Sequence, residues 1–188
     1  MLCCCKIEYD KALLQKAFSL CPKWRRDKAE KITNDKVFAA SVTAGLLLRY
    51  CLKERAEEVK TLPNGKPYIE SGECFSLSHS GQYAVCAVSQ KEIGVDIQQI
   101  TAVSEKAVNR FCAESELAWL AKSDDRPCDI IRLWALKESY LKASGKSTSE
   151  VFDTEFLIEN GKVNGPEGYG FTLSEEISGY IIAVCEKI

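Results

Sequence analysis

The chain has 188 residues, 46% of them apolar and 28% charged, with a net charge of −2. These are the proportions of an ordinary globular protein, large enough for one medium domain or two small lobes, and the charge gives no support for bulk affinity to nucleic acid. No apolar run approaches the roughly 18 residues that a membrane helix needs, and the start, Met1-Leu-Cys-Cys-Cys-Lys-Ile-Glu-Tyr-Asp10, has neither the basic n-region nor the apolar segment of a signal peptide.

A cytoplasmic location is therefore expected. The ten cysteines include no Cys-x-x-Cys pair, and Cys74, Cys86 and Cys185 lie in apolar, strand-like runs. Reduced, structural thiols are expected rather than a disulfide framework.

Taken in order, residues 2–8 read as a strand and residues 11–18 as a short helix. Pro22 suits the first turn of a second helix carrying Lys23, Arg25, Arg26, Lys28 and Lys31. That basic cluster is either a solvated face or an anion grip. Asn34 is a fair N-cap for a longer helix to about Glu58, with Val37, Phe38, Val42, Leu46 and Leu48 facing a core and Gly45 permitting close packing. Leu62-Pro-Asn-Gly-Lys-Pro67 is dense turn chemistry.

Strands are expected at 68–70, 75–78, 83–89 and 93–97, with Ser-His-Ser-Gly-Gln82 as a polar connection. Ser104 and Ser115 open two short helices. A longer one spans about Cys128 to Ser144 and stops at Gly145. Strands follow at 154–158, 171–174 and 180–185, the first two separated by a turn at Glu159-Asn-Gly161. The boundary is expected near 97–103, giving lobes 1–100 and 101–188.

In the long helix, Ile131, Leu133, Trp134, Leu136, Tyr140 and Leu141 recur at helical spacing. Glu138 and Lys142 stand four apart, hence one turn apart on one face. Alone they read as a solvated pair. Asp96 ends the apolar run Ile93-Gly-Val, and a buried carboxylate must be paired or hold a metal. With Glu138 or Glu116 it could form an oxygen-rich Mg²⁺ site, since Mg²⁺ prefers one or two carboxylates plus phosphates and waters. His79 is the only histidine, so a His-based metal cage is ruled out. No Gly-x-Ser-x-Gly elbow supports a serine triad.

The order Gly65-Lys-Pro67, Ser76-Leu-Ser-His-Ser-Gly81, Gly94-Val-Asp96, Arg110-Phe…Glu116 and Trp134-Ala-Leu-Lys-Glu-Ser-Tyr-Leu-Lys142 resembles the surfactin-type 4′-phosphopantetheinyl transferases. The resemblance covers roughly residues 23–145. It implies an α+β pseudo-dimer of two similar lobes with the active site in the cleft between them. It also implies transfer of the phosphopantetheine arm of coenzyme A to a serine of an apo acyl or peptidyl carrier protein, releasing 3′,5′-ADP. By the same resemblance Asp96 and Glu138 would hold Mg²⁺, with Gln98 as a third ligand directly or through water. Lys142 would neutralise phosphate charge and contact coenzyme A, and Glu138 or a metal-bound water would take the serine proton. Ser78 and His79 would contact the nucleotide phosphates, Gly65, Lys66 and Pro67 the adenine side, and Arg25 and Lys28 the 3′-phosphate.

Two positions depart from the family pattern: Gln98 stands where many members have Glu, and Ala40 where many have Arg. Those departures leave a non-catalytic coenzyme A-binding module as the rival, with a ligand-free structural protein behind it. A monomer is expected, since two lobes in one chain need no partner subunit.

Overall fold

Asp10 and Asn34 each accept backbone N–H groups at the start of a helix, Asp10 from Leu13 and Asn34 from Lys36 and Val37. These caps satisfy donors that an isolated helix end leaves open. The computed structural model describes residues 1–63, 65–70, 72–147, 149–150, 154–159 and 161–188. Asn64 and Asn160, each inside an expected turn, lie outside them.

Contacts divide the chain into Met1–Gln90 and Lys91–Ile188. The first unit runs β1 (Leu2–Lys6), α1 (Lys11–Leu20), α2 (Lys23–Ala29), α3 (Asp35–Leu52), a 3-10 turn (Lys53–Glu58), β2 (Lys60–Thr61), β3 (Pro67–Tyr68), β4 (Cys74–Ser80) and β5 (Tyr83–Ser89). Its main sheet has the order β1-β5-β4, antiparallel throughout. Ala84, Cys86 and Val88 of β5 share a core with Ala39, Val42 and Leu48 of α3.

The second unit runs β6 (Ile93–Gln99), α4 (Glu105–Phe111), α5 (Glu114–Leu120), α6 (Arg126–Ser144), β7 (Leu157–Glu159), β8 (Lys162–Asn164), β9 (Tyr169–Ser174) and β10 (Tyr180–Lys187). Its sheet order is β6-β10-β9, again antiparallel. Ile181, Ala183 and Cys185 of β10 pack with Leu133, Leu136 and Tyr140 of α6. Each unit thus follows one plan: a first strand, three helices, a small two-stranded ribbon, then two strands of which the last lies in the centre.

Several expectations change. The long helix of the first unit ends at Leu52 rather than near Glu58, because Lys53 takes φ 53° and the next residues tighten into the 3-10 turn. Val37 is exposed, and small residues such as Ala39, Ala40 and Ala44 line the buried side instead. Ser78, His79 and Ser80 belong to β4, not to a connection. Only Gly81 and Gln82 turn the chain, with Gly81 at φ 53° where a two-residue hairpin accepts glycine. β6 was expected in the first lobe, whereas it pairs along its length with β10 and belongs to the second unit.

Candidate active site

Gly94 decides how α6 meets the sheet. A Cβ at this position would lie 1.9 Å from the carbonyl oxygen of Ser139 and 2.5 Å from the backbone nitrogen of Ala143. Only glycine lets the helix main chain rest on the strand. The helix meets it with Ser139 and Ala143, both buried and four residues apart.

That contact sets the geometry of the acidic and basic groups. Side chains two apart on a strand share a face, so Asp96 and Gln98 point to the same side as Gly94, towards α6. Asp96 is 1% exposed. Lys142 Nζ donates to Asp96 Oδ1 at 2.6 Å and to the Val95 carbonyl at 3.2 Å, and Gln98 Nε2 donates to Asp96 Oδ2 at 2.8 Å.

Glu138, one turn before Lys142, is half-buried. Burial pushes its carboxyl above the usual range, the charge of Asp96 adds to that, and Lys142 works against it. It makes no hydrogen bond or ion pair among the described residues. Asp96, Gln98, Glu138 and Lys142 thus converge on one end of the β6–α6 contact.

The donor set is all oxygen, two carboxylates and one amide. Among the described residues no group of three His, Cys, Asp or Glu side chains is placed to hold a metal ion. A cation here would draw on Asp96, Glu138 and neutral oxygens, which suits an ion that keeps waters or phosphate oxygens as further ligands.

Glu116, weighed from sequence as a partner for Asp96, is used elsewhere. Its carboxylate and the Lys137 ammonium are both fully buried and pair at 2.9 Å. Glu116 also accepts from Ala113 N at 2.7 Å and Phe156 N at 2.8 Å, and Lys137 donates to the Thr154 carbonyl. The pair ties α5, α6 and the segment before β7 together. A signal existed in the sequence: Leu133, Lys137 and Leu141 are four apart, which sets the lysine on an apolar stripe. Trp134 packs edge-on against Phe111 of α4, ring centres 5.0 Å apart, and seats the start of the motif.

In the first unit, Arg25 lies on α2 and is 8% exposed. Its stem fits because α3 has glycine opposite: a Cβ on Gly45 would come within 2.8 Å of Arg25 Cγ. Arg25 Nε donates to the Ser41 carbonyl at 3.0 Å, and the guanidinium lies 5.4 Å from the centre of the Trp24 ring. It has no carboxylate partner among the described residues. Burial holds its pKa down, and some loss of hydration together with the Arg25 charge does the same to the surface residue Lys28. The buried hydroxyl of Ser41 and the Trp24 indole N–H also lack hydrogen-bond partners among the described residues. Ala40 is buried at 4% exposure, so this position is packed into the core.

Ser78 and His79 are neighbours on β4 and face opposite ways, Ser78 buried and His79 exposed. Gly65 and Lys66 sit in the β2–β3 connection and Pro67 opens β3; Gly65 has φ 86° and the Lys66 carbonyl accepts from Leu62 N.

The family model of the 4′-phosphopantetheinyl transferase superfamily matches residues 92–185, a span that holds Asp96, Glu138 and Lys142. The chain belongs to this superfamily. Among curated transferases, gsp of Aneurinibacillus migulanus is 30% identical over 129 residues, covering 64% of this chain and 54% of the relative. Sfp of Bacillus subtilis (strain 168) is 32% identical over 148 residues, covering 73% and 66%. The transferase ffp of Bacillus subtilis is 35% identical over 132 residues, covering 64% and 59%. The chain therefore matches between about half and two thirds of the length of these phosphopantetheinyl transferases. All three carry the name of a transferase, which gives the non-catalytic alternative no support. No helix among the described residues is long and apolar enough to cross a membrane.

Proposed function

We propose that this protein transfers the 4′-phosphopantetheine group of coenzyme A to a serine hydroxyl of an apo acyl or peptidyl carrier protein. The observation that carries the reading is the meeting of Asp96, Glu138 and Lys142 at the Gly94 joint, within the span matched by the family model. The proposal includes the pseudo-dimeric arrangement that the resemblance implies, a monomeric state and a cytoplasmic setting.

Asp96, Glu138 and the amide oxygen of Gln98 would hold Mg²⁺. Such an ion supplies Lewis-acid stabilisation of charge on a pyrophosphate. Lys142 provides a cation for the oxygens that gain charge as phosphorus is attacked. Glu138 is suited to take the serine proton, because burial and Asp96 raise its basicity above that of an ordinary carboxylate. Arg25 and Lys28 would meet the 3′-phosphate, supported by a buried guanidinium without an acidic partner among the described residues. Ser78 and His79 are proposed at the nucleotide phosphates, and Gly65, Lys66 and Pro67 at the adenine side.

The test is mass spectrometry of an apo carrier protein incubated with coenzyme A, Mg²⁺ and this protein. The carrier is expected to gain one phosphopantetheine mass. A panel of acyl and peptidyl carriers that all stay unmodified, while a known transferase modifies them, refutes the proposal.

A further inference from the structure

Three thiols of the first unit come together from three elements. In the β1–β5 pairing, Cys3 stands directly opposite Cys86. Residues opposite one another on antiparallel strands have Cα atoms about 5 Å apart and side chains on the same face. That face is covered by α3, which brings in Cys51. Cys86 is fully buried, while Cys3 and Cys51 are partly exposed against the same core. Both other thiols are near enough to act on the charge of the Cys51 sulfur. All three are free thiols.

We propose that Cys51 is a thiol-modification site, reacting with low-molecular-weight disulfides and then closing with Cys86 into a bond between α3 and β5. The site lies wholly within the first unit and is independent of the transferase reading.

The neighbours assign the roles. Donation from Cys86 and, more weakly, from Cys3 stabilises the Cys51 thiolate against the cost of burial, with help from the Met1 ammonium, and holds its pKa at about 7. The same interaction pushes Cys86 far up, as do burial and the Cys51 charge. Cys3 is also raised, chiefly by burial. The thiolate is the attacking species in disulfide exchange, so Cys51 attacks first.

Its sulfur bonds to one sulfur of the disulfide RSSR, and one thiolate RS⁻ leaves and takes up a proton. Cys51 is then neutral, and the charge that held the Cys86 proton is gone. Cys86 loses that proton to water, attacks the Cys51 sulfur and expels the second RS⁻. In sum, two cysteine thiols are oxidised to one disulfide and RSSR is reduced to two RSH.

Glutathione disulfide is the probe. The reduced protein is treated with it over a range of pH, quenched with acid and mapped by peptide mass spectrometry. Expected are glutathione on Cys51 before any other thiol, an initial rate with a midpoint near pH 7, and conversion to a Cys51–Cys86 cross-linked peptide. Cys86→Ala should leave the mixed disulfide on Cys51 in place, and Cys51→Ser should abolish the early reaction. First modification at the exposed Cys4 or Cys5, or a rate still climbing at pH 8 and above as for an ordinary thiol, overturns the proposal. So does closure onto Cys3, or a mixed disulfide that persists in the unaltered protein. The measurements on the unaltered protein decide the matter even if a variant fails to fold.

Discussion

Lys142 and Asp96 are joined by a 2.6 Å ion pair across 46 residues of chain, with the carboxylate almost wholly buried and the ammonium partly exposed. Without a cation, Lys142 supplies the positive charge that the buried carboxylate requires. A divalent ion at Asp96 would take over that task and leave the ammonium free for phosphate. Lys142→Ala should therefore bind Mg²⁺ a few-fold more tightly while transfer falls by about 10²-fold or more. Titration calorimetry and the carrier mass assay read the two effects separately. Weaker metal binding in this variant would sink the idea of competition for Asp96.

Glu138 gives a pH signature in the metal-free protein. Its folded pKa is raised above the unfolded value. Between those two values the folded state holds more protons than the unfolded state, so stability falls as pH rises through that window. The contribution is fully present below the ordinary carboxylate range and lost above the raised value. Glu138→Gln should flatten this part of the stability–pH curve, as read by urea unfolding at several pH values. An unchanged slope would assign the dependence to other groups.

Gly94→Ala places a methyl group against the backbone of α6. With Ser139 O only 1.9 Å away, the helix must shift, and overpacking of this kind costs about 1–3 kcal/mol or more. The melting temperature should drop, and Mg²⁺ affinity should fall along with it because Glu138 and Lys142 move with the helix. A variant of unchanged melting temperature would contradict the described contact.

The Glu116–Lys137 pair predicts a non-additive double mutant. Lys137→Met leaves a fully buried carboxylate without its cation, at a cost of about 3–5 kcal/mol. Adding Glu116→Gln removes that charge and keeps an oxygen for one of the two N–H groups, Ala113 or Phe156, which bond different oxygens of the carboxylate. The double variant should be more stable than Lys137→Met alone in guanidinium unfolding.

Lys28→Ala tests the anion site without disturbing a core side chain, since Lys28 is exposed. The unaltered protein should bind coenzyme A more tightly than dephospho-coenzyme A, which lacks the 3′-phosphate. The substitution should narrow that gap and spare affinity for the dephospho form. A gap of unchanged width would remove Lys28 from the site.

The local patterns of the second unit were largely legible. An apolar strand carrying Asp96 and a helix with Glu138 and Lys142 one turn apart are local patterns, and Gly145 ends that helix at φ 73° as expected, although β6 runs on past Asp96 to Gln99. What escaped was set by distant partners. β6 belongs with β10, from the far end of the chain, so a boundary after the strand looked natural from composition. Ser78 to Ser80 read as loop because serine and histidine are common in turns, yet pairing with Tyr83 to Val85 holds them in β4. Lys137 shares the apolar stripe of Leu133 and Leu141, and only the fold shows that Glu116 comes from another helix to meet it. Asp96, Glu138 and Lys142 meet within one unit. Arg25, Lys28, Ser78, His79 and the Gly65–Pro67 turn belong to the other, and their common role remains part of the proposal.

The bare strand position at Gly94 also governs motion. With no side chain to act as a cushion, α6 and β6 touch main chain to main chain, and neither can drift without carrying the other. Amide protons along β6 and on the turn of α6 around Ser139–Ala143 should then exchange with solvent through the same opening event, at one common free energy.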